Sequence, residues 1–182
     1  MSGYRQGGFT LIELIVVVII LGILAAVALP RFVSLQRDAR IAKLQAARGS
    51  VMAASTLIHA TTLSRGGVAD TTACSDGTTA SNTANGTVCT ENGVITLVNG
   101  YPAVTALGGS TAGILAAAGL TGVFNPSQTQ LEAEGYTYSV AGTTATFGVV
   151  GSTDSNTCAF TYSQAAAANA AATISALTVS GC

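Results

Sequence analysis

Apolar and polar positions divide the chain into an N-terminal apolar run, a stretch with one apolar face, and a mixed C-terminal region. In residues 9–29 the only polar side chains are Thr10 and Glu13. A helix rises about 1.5 Å per residue, so a run of this length spans roughly 30 Å, the thickness of the hydrocarbon core of a bilayer. The pattern therefore predicts a transmembrane helix with one carboxylate near its start.

The stretch after the run predicts an amphipathic helical stem over residues 30–65. Helical patterning resumes directly after Pro30, and apolar residues then recur at spacings of three and four, on one helix face. They are Ile41, Leu44, Ala47, Val51, Ala54 and Ile58. We expect one long helix over residues 9–63, kinked near Pro30 because proline lacks a backbone donor. The glycines at 66 and 67 would end it.

Residues 66–182 carry the shorter patterns of a β-rich head. Residues 66–93 are polar without periodicity, which predicts a loop. An alanine-rich stretch at 111–120 predicts a short helix with Ser110 as its N-cap. Strands are expected where β-branched and aromatic residues cluster or alternate, namely at 94–98, 136–141, 144–150, 158–163 and 173–180. The predicted fold class is α+β, a long N-terminal helix packed on a C-terminal antiparallel sheet of about four strands.

Charge is scarce and unevenly distributed. Only 8% of the residues are charged, and every Lys and Arg lies at or before Arg65. The head is therefore acidic and has no basic patch for nucleic acid. The basic residues of the stem form either a solvated helix face or a contact surface for acids of neighbouring subunits. They are Arg31, Arg37, Arg40, Lys43 and Arg48.

The four cysteines all follow the apolar run, which indicates two disulfides formed in an oxidising compartment. Four cysteines allow three pairings. We predict Cys74–Cys89, which would pin a loop of polar residues, and Cys158–Cys182, which would tie the end of the chain to a strand.

The sequence has none of the residue sets typical of catalysis. His59 is the single histidine, and there is no Ser/His/Asp set, phosphate-binding loop or Cys/His metal spacing. Asp154, Ser155 and Asn156 have oxygens that can ligate calcium, but they are also common turn residues, which is the interpretation we favour. Glu132 and Glu134 are expected to flank an exposed turn. We expect no enzyme, no metal and no cofactor.

The segment around the start of the apolar run resembles a known signal. Gly7, Gly8, Phe9 and Glu13 stand in the register of the class III signal of type IV pilins and pseudopilins. Gly22 and Pro30 also occupy positions where pilins of this family carry them, and the eight-residue leader is similar to that of the type IVa branch. Segments at 35–40, 98–102 and 158–182 resemble mannose-sensitive haemagglutinin (MSHA) pilins.

This resemblance implies a series of processing and assembly steps for the chain. A prepilin peptidase would cut the leader, residues 1–8, after Gly8 and methylate the new amine of Phe9. Residues 9–29 would hold the subunit in the inner membrane, with the head in the periplasm. An assembly platform with its ATPase would then move it into a helical homo-oligomeric filament outside the cell.

The resemblance also implies roles within that filament. Glu13 would pair with the Phe9 amine of a neighbouring subunit, and Gly22 and Pro30 would bracket a segment able to unwind. The implied protein is a type IV pilus subunit for adhesion or motility. A pseudopilin of a type II secretion system and a plain membrane-tethered binding domain are the alternatives.

Overall fold

The computed structural model describes residues 9–154 and 156–182, and all of their side chains except those at positions 30 and 33. The predicted leader and Ser155 lie outside these ranges. The chain divides into two compact units, Met1–Ala39 and Arg40–Cys182. Within the described residues the elements are, in chain order, α1 Leu11–Arg65, β1 Thr87–Thr90, β2 Gly93–Val98, β3 Tyr101–Pro102, α2 Ile114–Ala118, α3 Gln128–Ala133, β4 Tyr136–Ala141, β5 Thr144–Val149, β6 Ala159–Ser163 and β7 Thr173–Ile174.

The strands form two antiparallel sheets, one in the order β1-β2-β3 and one in the order β4-β5-β6-β7. The predicted α+β class is confirmed, and so is a four-stranded antiparallel sheet. The three-stranded sheet is additional. It includes β1, which lies in the stretch predicted as a loop, and β3, which no strand pattern indicated.

The predicted apolar face of α1 forms the core of the second unit. Ile41 is half-buried against this core, and the other positions of the face are buried: Leu44, Ala47, Val51, Ala54 and Ile58. The first four of these pack with Phe147 and Phe160 of the four-stranded sheet, whose rings stack with centroids 5.0 Å apart. Ile58 packs instead with Val88, Ile95 and Leu97 of the smaller sheet. One helix face therefore organises both sheets.

Two tyrosine hydroxyls fasten the large sheet to the segment around β3. Tyr162 donates to the carbonyl of Pro102 at 2.7 Å, and Tyr138 donates to the carbonyl of Thr105 at 2.8 Å. Burial in this apolar environment raises the pKa of Tyr138 to about 12 and that of Tyr162 further still, because the phenolate would lose its hydration. Both phenols are therefore neutral donors at physiological pH.

The helix predicted at 111–120 is shorter than expected, and Ser110 is not its N-cap. The helix α2 begins at Ile114 with Gly113 at the N-cap position and no side-chain cap. The reason is that the preceding residues pair with β2: Ala112 forms a parallel bridge with Ile95, and its carbonyl accepts from Thr96 N at 2.8 Å. Backbone pairing with β2 thus keeps residues that helix propensity alone would assign to α2 out of the helix.

The last strand, predicted over 173–180, is limited to Thr173–Ile174, followed by a bridge between Ala159 and Thr178. From Ile174 to Thr178 is four positions, whereas their partners Tyr162 and Ala159 are three apart. The extra residue makes a β-bulge, in which the Ser175 hydroxyl accepts from Thr161 N at 2.9 Å.

Candidate functional site: the N-terminal part of α1

The N-terminal part of α1 exposes its apolar side chains along its whole length. All of residues 9–29 are exposed, and the exposed fraction of the large apolar side chains runs from 47% at Val16 and Val17 to 85% at Phe9. Among the described residues, α1 is the one helix long and apolar enough to cross a membrane. Such a surface is unfavourable in water and suits a bilayer or a bundle of other apolar helices.

Thr10 and Glu13 form a capping box at the start of α1. The Glu13 carboxylate oxygen Oε2 accepts from the backbone N of Thr10 at 2.9 Å and from its hydroxyl at 2.7 Å. The Glu13 backbone N lies 3.3 Å from Thr10 Oγ1, to which it donates. This reciprocal arrangement satisfies backbone donors that the first turn of a helix leaves free.

The apolar pattern by itself identifies Glu13 only as a charge in need of a partner. The Thr-x-x-Glu spacing ahead of an apolar run is the signal that finds the cap. Both bonds reach Oε2, so the second carboxylate oxygen can accept from a donor of another molecule. In the described part of the chain no Lys or Arg forms an ion pair with Glu13. The carboxylate is thus oriented by Thr10, and no cation of the described residues compensates its negative charge.

The other residues predicted to act in this segment lie as follows. Gly8 falls outside the described residues, so the cleavage site stays a prediction. Phe9 lies just ahead of the helix, and Gly22 is within α1, where an added Cβ would meet no atom within 4 Å. Position 30 is helical, and α1 continues through it, so the predicted unwinding between Gly22 and Pro30 also stays a prediction.

Several basic side chains of the stem are used within the subunit itself. Arg40 Nη1 donates to the carbonyl of Cys182 at 2.8 Å, and Arg48 Nε donates to the carbonyl of Ser175 at 2.8 Å. Lys43 donates to the carbonyl of Glu134 and lies 4.5 Å from the centroid of the Tyr136 ring. These cations bind carbonyl oxygens of their own head, which is neither a solvated helix face nor a contact with acids of neighbouring subunits.

The loop after α1 is fastened by a buried polar cluster and a disulfide. Asn82 is 1% exposed, and its side-chain amide donates to Val68 O at 2.7 Å and to Asp70 Oδ1 at 2.8 Å. Arg65, in the last turn of α1, donates to both Asp70 and Asn82. The cysteines are paired as Cys74–Cys89 and Cys158–Cys182, the pairing we chose from the sequence.

The remaining polar candidates serve local structure. Asp154 accepts from Asn156 N at 2.8 Å, as in a polar turn, and Glu132 accepts from Gln128 on α3. His59 is half-buried, with its ring stacked on Tyr101 at 3.9 Å between centroids. Asp70 lies close to Cys74 and Cys89, but the disulfide takes both sulfurs and removes them as metal ligands.

Comparison with known proteins agrees with the motif at the start of the chain. Residues 3–29 match the family model of the prokaryotic N-terminal methylation motif. The chain is 50% identical over 50 residues to the type IV narrow pilus major component PilA5 of Thermus thermophilus, a match that covers 28% of this chain and 43% of the relative.

A second relative comes from a secretion system. The chain is 62% identical over 29 residues to the type II secretion system core protein G of Pectobacterium carotovorum subsp. carotovorum, which covers 16% of this chain and 19% of the relative. The chain therefore spans less than half the length of the curated relatives that it matches. No solved structure matches it. The methylation motif and the exposed apolar helix together indicate a subunit of the type IV pilin or pseudopilin kind, with a membrane-anchored precursor.

Proposed function

We propose that this chain is the structural subunit of a type IV pilus and not an enzyme. The observation that carries the proposal is the exposed apolar helix of residues 9–29 with its oriented carboxylate, which lies within the methylation motif of residues 3–29. A surface of this kind has two stable environments, a membrane and a filament core built from equal helices. Moving between two apolar environments costs little hydrophobic free energy, which suits reversible storage in the inner membrane.

Processing would create the cation that Glu13 lacks. A prepilin peptidase would cut after Gly8, leave Phe9 as the new N-terminus and methylate its amine. In a filament the amine of one subunit would then donate to Glu13 of a neighbour, whose Thr10 already holds one carboxylate oxygen in place. In low dielectric a paired charge is tolerated, whereas an unpaired one is costly.

Intact mass spectrometry of purified filaments tests the processing step. The expected mass is that of a chain beginning at N-methylated Phe9, with both disulfides formed. A filament subunit that retains residues 1–8 would contradict the pilin proposal.

The partners follow from the same proposal. They are the prepilin peptidase with its methyltransferase activity, the assembly platform and its ATPase, and further copies of this chain. Before assembly the head would lie in the periplasm, where both disulfides can form. After assembly the head would lie on the surface of the extracellular filament, which would serve adhesion or motility. An MSHA-like pilus is the finer form of the proposal and rests on the segments at 35–40, 98–102 and 158–182.

A pseudopilin of a type II secretion system is the second candidate, favoured by the 62% identity to core protein G over 29 residues. The two candidates differ in the product that they build. Electron microscopy of material sheared from the cell surface separates them: long filaments that contain this chain support the pilus, whereas surface material without it, together with a secretion defect on deletion, supports the pseudopilin.

A further inference from the structure

One stem cation differs from the rest. Among the described Lys and Arg residues, Arg40, Lys43 and Arg48 donate to carbonyls of their own head, and Arg65 binds Asp70. Arg37 also has a partner. For the Arg31 side chain the structure records no bond among the described residues. Among the described residues, Arg31 is therefore the stem cation whose side chain is available to bind another molecule.

Arg31 lies beside exposed apolar side chains that extend past the membrane-length run. Phe32 is 59% exposed and Leu35 is 64% exposed. Leu35 is four residues after Arg31 and three after Phe32, so the three side chains are neighbours on the helix surface. The segment 31–35 therefore presents one cation next to two large apolar groups.

The second unit contains a groove with the complementary chemistry. It is open, has a volume of about 880 Å³, and lies between α1 and the loop that the Cys74–Cys89 disulfide holds. Leu57, 66% exposed, and Glu91 both line the groove, together with several polar side chains of threonine and serine. Asp70 and Arg65 also line the groove but neutralise each other at 3.0 Å.

Glu91 is exposed, and the structure records no hydrogen bond or ion pair for it among the described residues. The groove therefore combines an exposed leucine with a free carboxylate. Phe32, Leu35 and Arg31 match these two groups, because the apolar side chains suit Leu57 and the guanidinium suits the Glu91 carboxylate. The structure also records no side-chain bond for Glu134 among the described residues, but Glu134 is not part of this groove.

We propose that the segment 31–35 of one copy of this chain docks in the groove of a second copy, with Arg31 paired to Glu91. The proposal rests on the filament function proposed above, because it needs many copies at high local concentration. This contact would hold the stem of one subunit against the head of the next. A partner of different sequence in the groove is the competing occupant.

Cysteine crosslinking tests the contact in assembled filaments. Two chains, one with Leu35→Cys and one with Leu57→Cys, are expressed together with the wild-type chain, so that wild-type subunits maintain assembly. Sheared filaments should then contain a disulfide-linked dimer, and peptide mapping should join position 35 to position 57. The matched control replaces Leu57→Cys with Val150→Cys, an exposed position outside the groove. The control should stay monomeric.

Charge reversal tests the ion pair separately. Glu91→Arg and Arg31→Glu should each lower the filament yield roughly tenfold, because they place like charges together, and the double variant should recover most of it. Glu132→Arg is the control, since it makes the same charge change outside the groove, and should leave the yield near wild type.

The outcomes separate this contact from the proposed function. Four outcomes each overturn the contact while the filament function stands. They are filaments that contain both cysteine variants but no 35–57 crosslink, a crosslink equal to the control, a link to a different protein, and no recovery in the double variant. If the wild-type chain forms no filament at all, the filament function fails, and the contact fails with it.

Discussion

Thr10 and Glu13 show at the scale of single residues how one carboxylate can serve two purposes. As the N3 residue of a capping box, Glu13 stabilises the first turn of α1 through Thr10. As an anion in an apolar segment, Glu13 also needs a cation from another molecule to balance its charge. A threonine-to-alanine change at such a cap typically costs about 1 kcal/mol, whereas a charge at a helix centre in a membrane costs roughly 2.5 to 3.5 kcal/mol. Because Glu13 lies near the start of the apolar run and not at its centre, this membrane cost is an upper value for its charge.

We predict that Glu13→Ala is inserted and processed but fails to enter filaments when wild-type subunits compete. Insertion should become easier, because the variant no longer places a carboxylate in the membrane. Immunoblots of membrane and sheared fractions measure both steps. Asp38→Ala, which removes an exposed acid outside the apolar run, is the control and should assemble normally. Normal filaments in normal amounts from Glu13→Ala alone would show that the charge pair is not needed.

The buried tyrosines predict a loss of stability at high pH. Burial raises the pKa of Tyr138 to about 12, above the value of 10.0 for an exposed phenol. The resulting stabilisation is complete below pH 10 and is lost as the pH rises from 10 towards 12, by on the order of 2 kcal/mol at the end of that window. The raised pKa of Tyr162 acts in the same direction.

Thermal unfolding of the detergent-solubilised chain between pH 8 and 11 measures this effect. The unfolding temperature of the wild type should fall from about pH 10 upwards. The unfolding temperature of Tyr138→Phe should be lower at pH 8, because the variant loses the bond to Thr105 O. It should, however, fall less steeply as the pH rises. Parallel pH profiles for the two proteins would mean that Tyr138 does not titrate in this window.

At the scale of elements, α1 combines a helix with two positions that weaken it. Gly22 costs about 1 kcal/mol relative to alanine in a helix interior, and a proline removes one backbone hydrogen bond. We predict that residues 22–30 are helical in the membrane-bound subunit and partly extended in the filament. Unwinding lengthens the rise from about 1.5 Å to as much as about 3.3 Å per residue.

Gly22→Ala tests this prediction without introducing a clash, since an added Cβ would meet no atom within 4 Å. The variant should resist unwinding and give fewer filaments. Gly49→Ala is a matched control, because Gly49 lies in the same helix with equally open surroundings. A filament map with unbroken helix from residue 9 to residue 63 would contradict the prediction.

The stem shows where sequence reasoning about an element ends. The spacing of Leu44, Val51 and Ile58 was sufficient to predict a buried face, because helical periodicity is local. The partners of Arg40 and Arg48 were not predictable, because carbonyl acceptors at Cys182 and Ser175 lie more than a hundred residues away. A pattern of charges shows which side chains need partners, but only the folded chain supplies them.

At the scale of the whole molecule, the disulfides differ in what they hold. Cys158 is fully buried and Cys182 is 8% exposed within the main core, whereas Cys74 and Cys89 lie half-buried at the loop after α1. Chain-entropy estimates give loops of this size about 3 kcal/mol each. We predict that replacing Cys158 and Cys182 together by serine destabilises the head more than replacing Cys74 and Cys89.

Thermal unfolding and limited proteolysis measure the two double variants side by side. Loss of Cys158–Cys182 should lower the unfolding temperature of the whole head, because it also frees the C-terminal segment from β6. Loss of Cys74–Cys89 should keep the fold and open new cleavage sites mainly within residues 66–86. Equal losses of stability would mean that the loop and the C-terminal segment contribute alike.

The sequence alone determined the long helix, its buried face, the apolar run, the methylation motif and the hairpin of β4 and β5. Each depends on local periodicity or on residues close in sequence, such as Gly142, which takes φ +60 in the two-residue turn. Only the tertiary structure decided the second sheet, the start of α2, the bulge after β7 and the carbonyl partners of the basic stem. These features depend on hydrogen bonds to backbone groups that lie far apart in the sequence. Every residue carries the same backbone donor and acceptor, except that proline lacks the N–H. No residue type marks in advance which of those groups will pair.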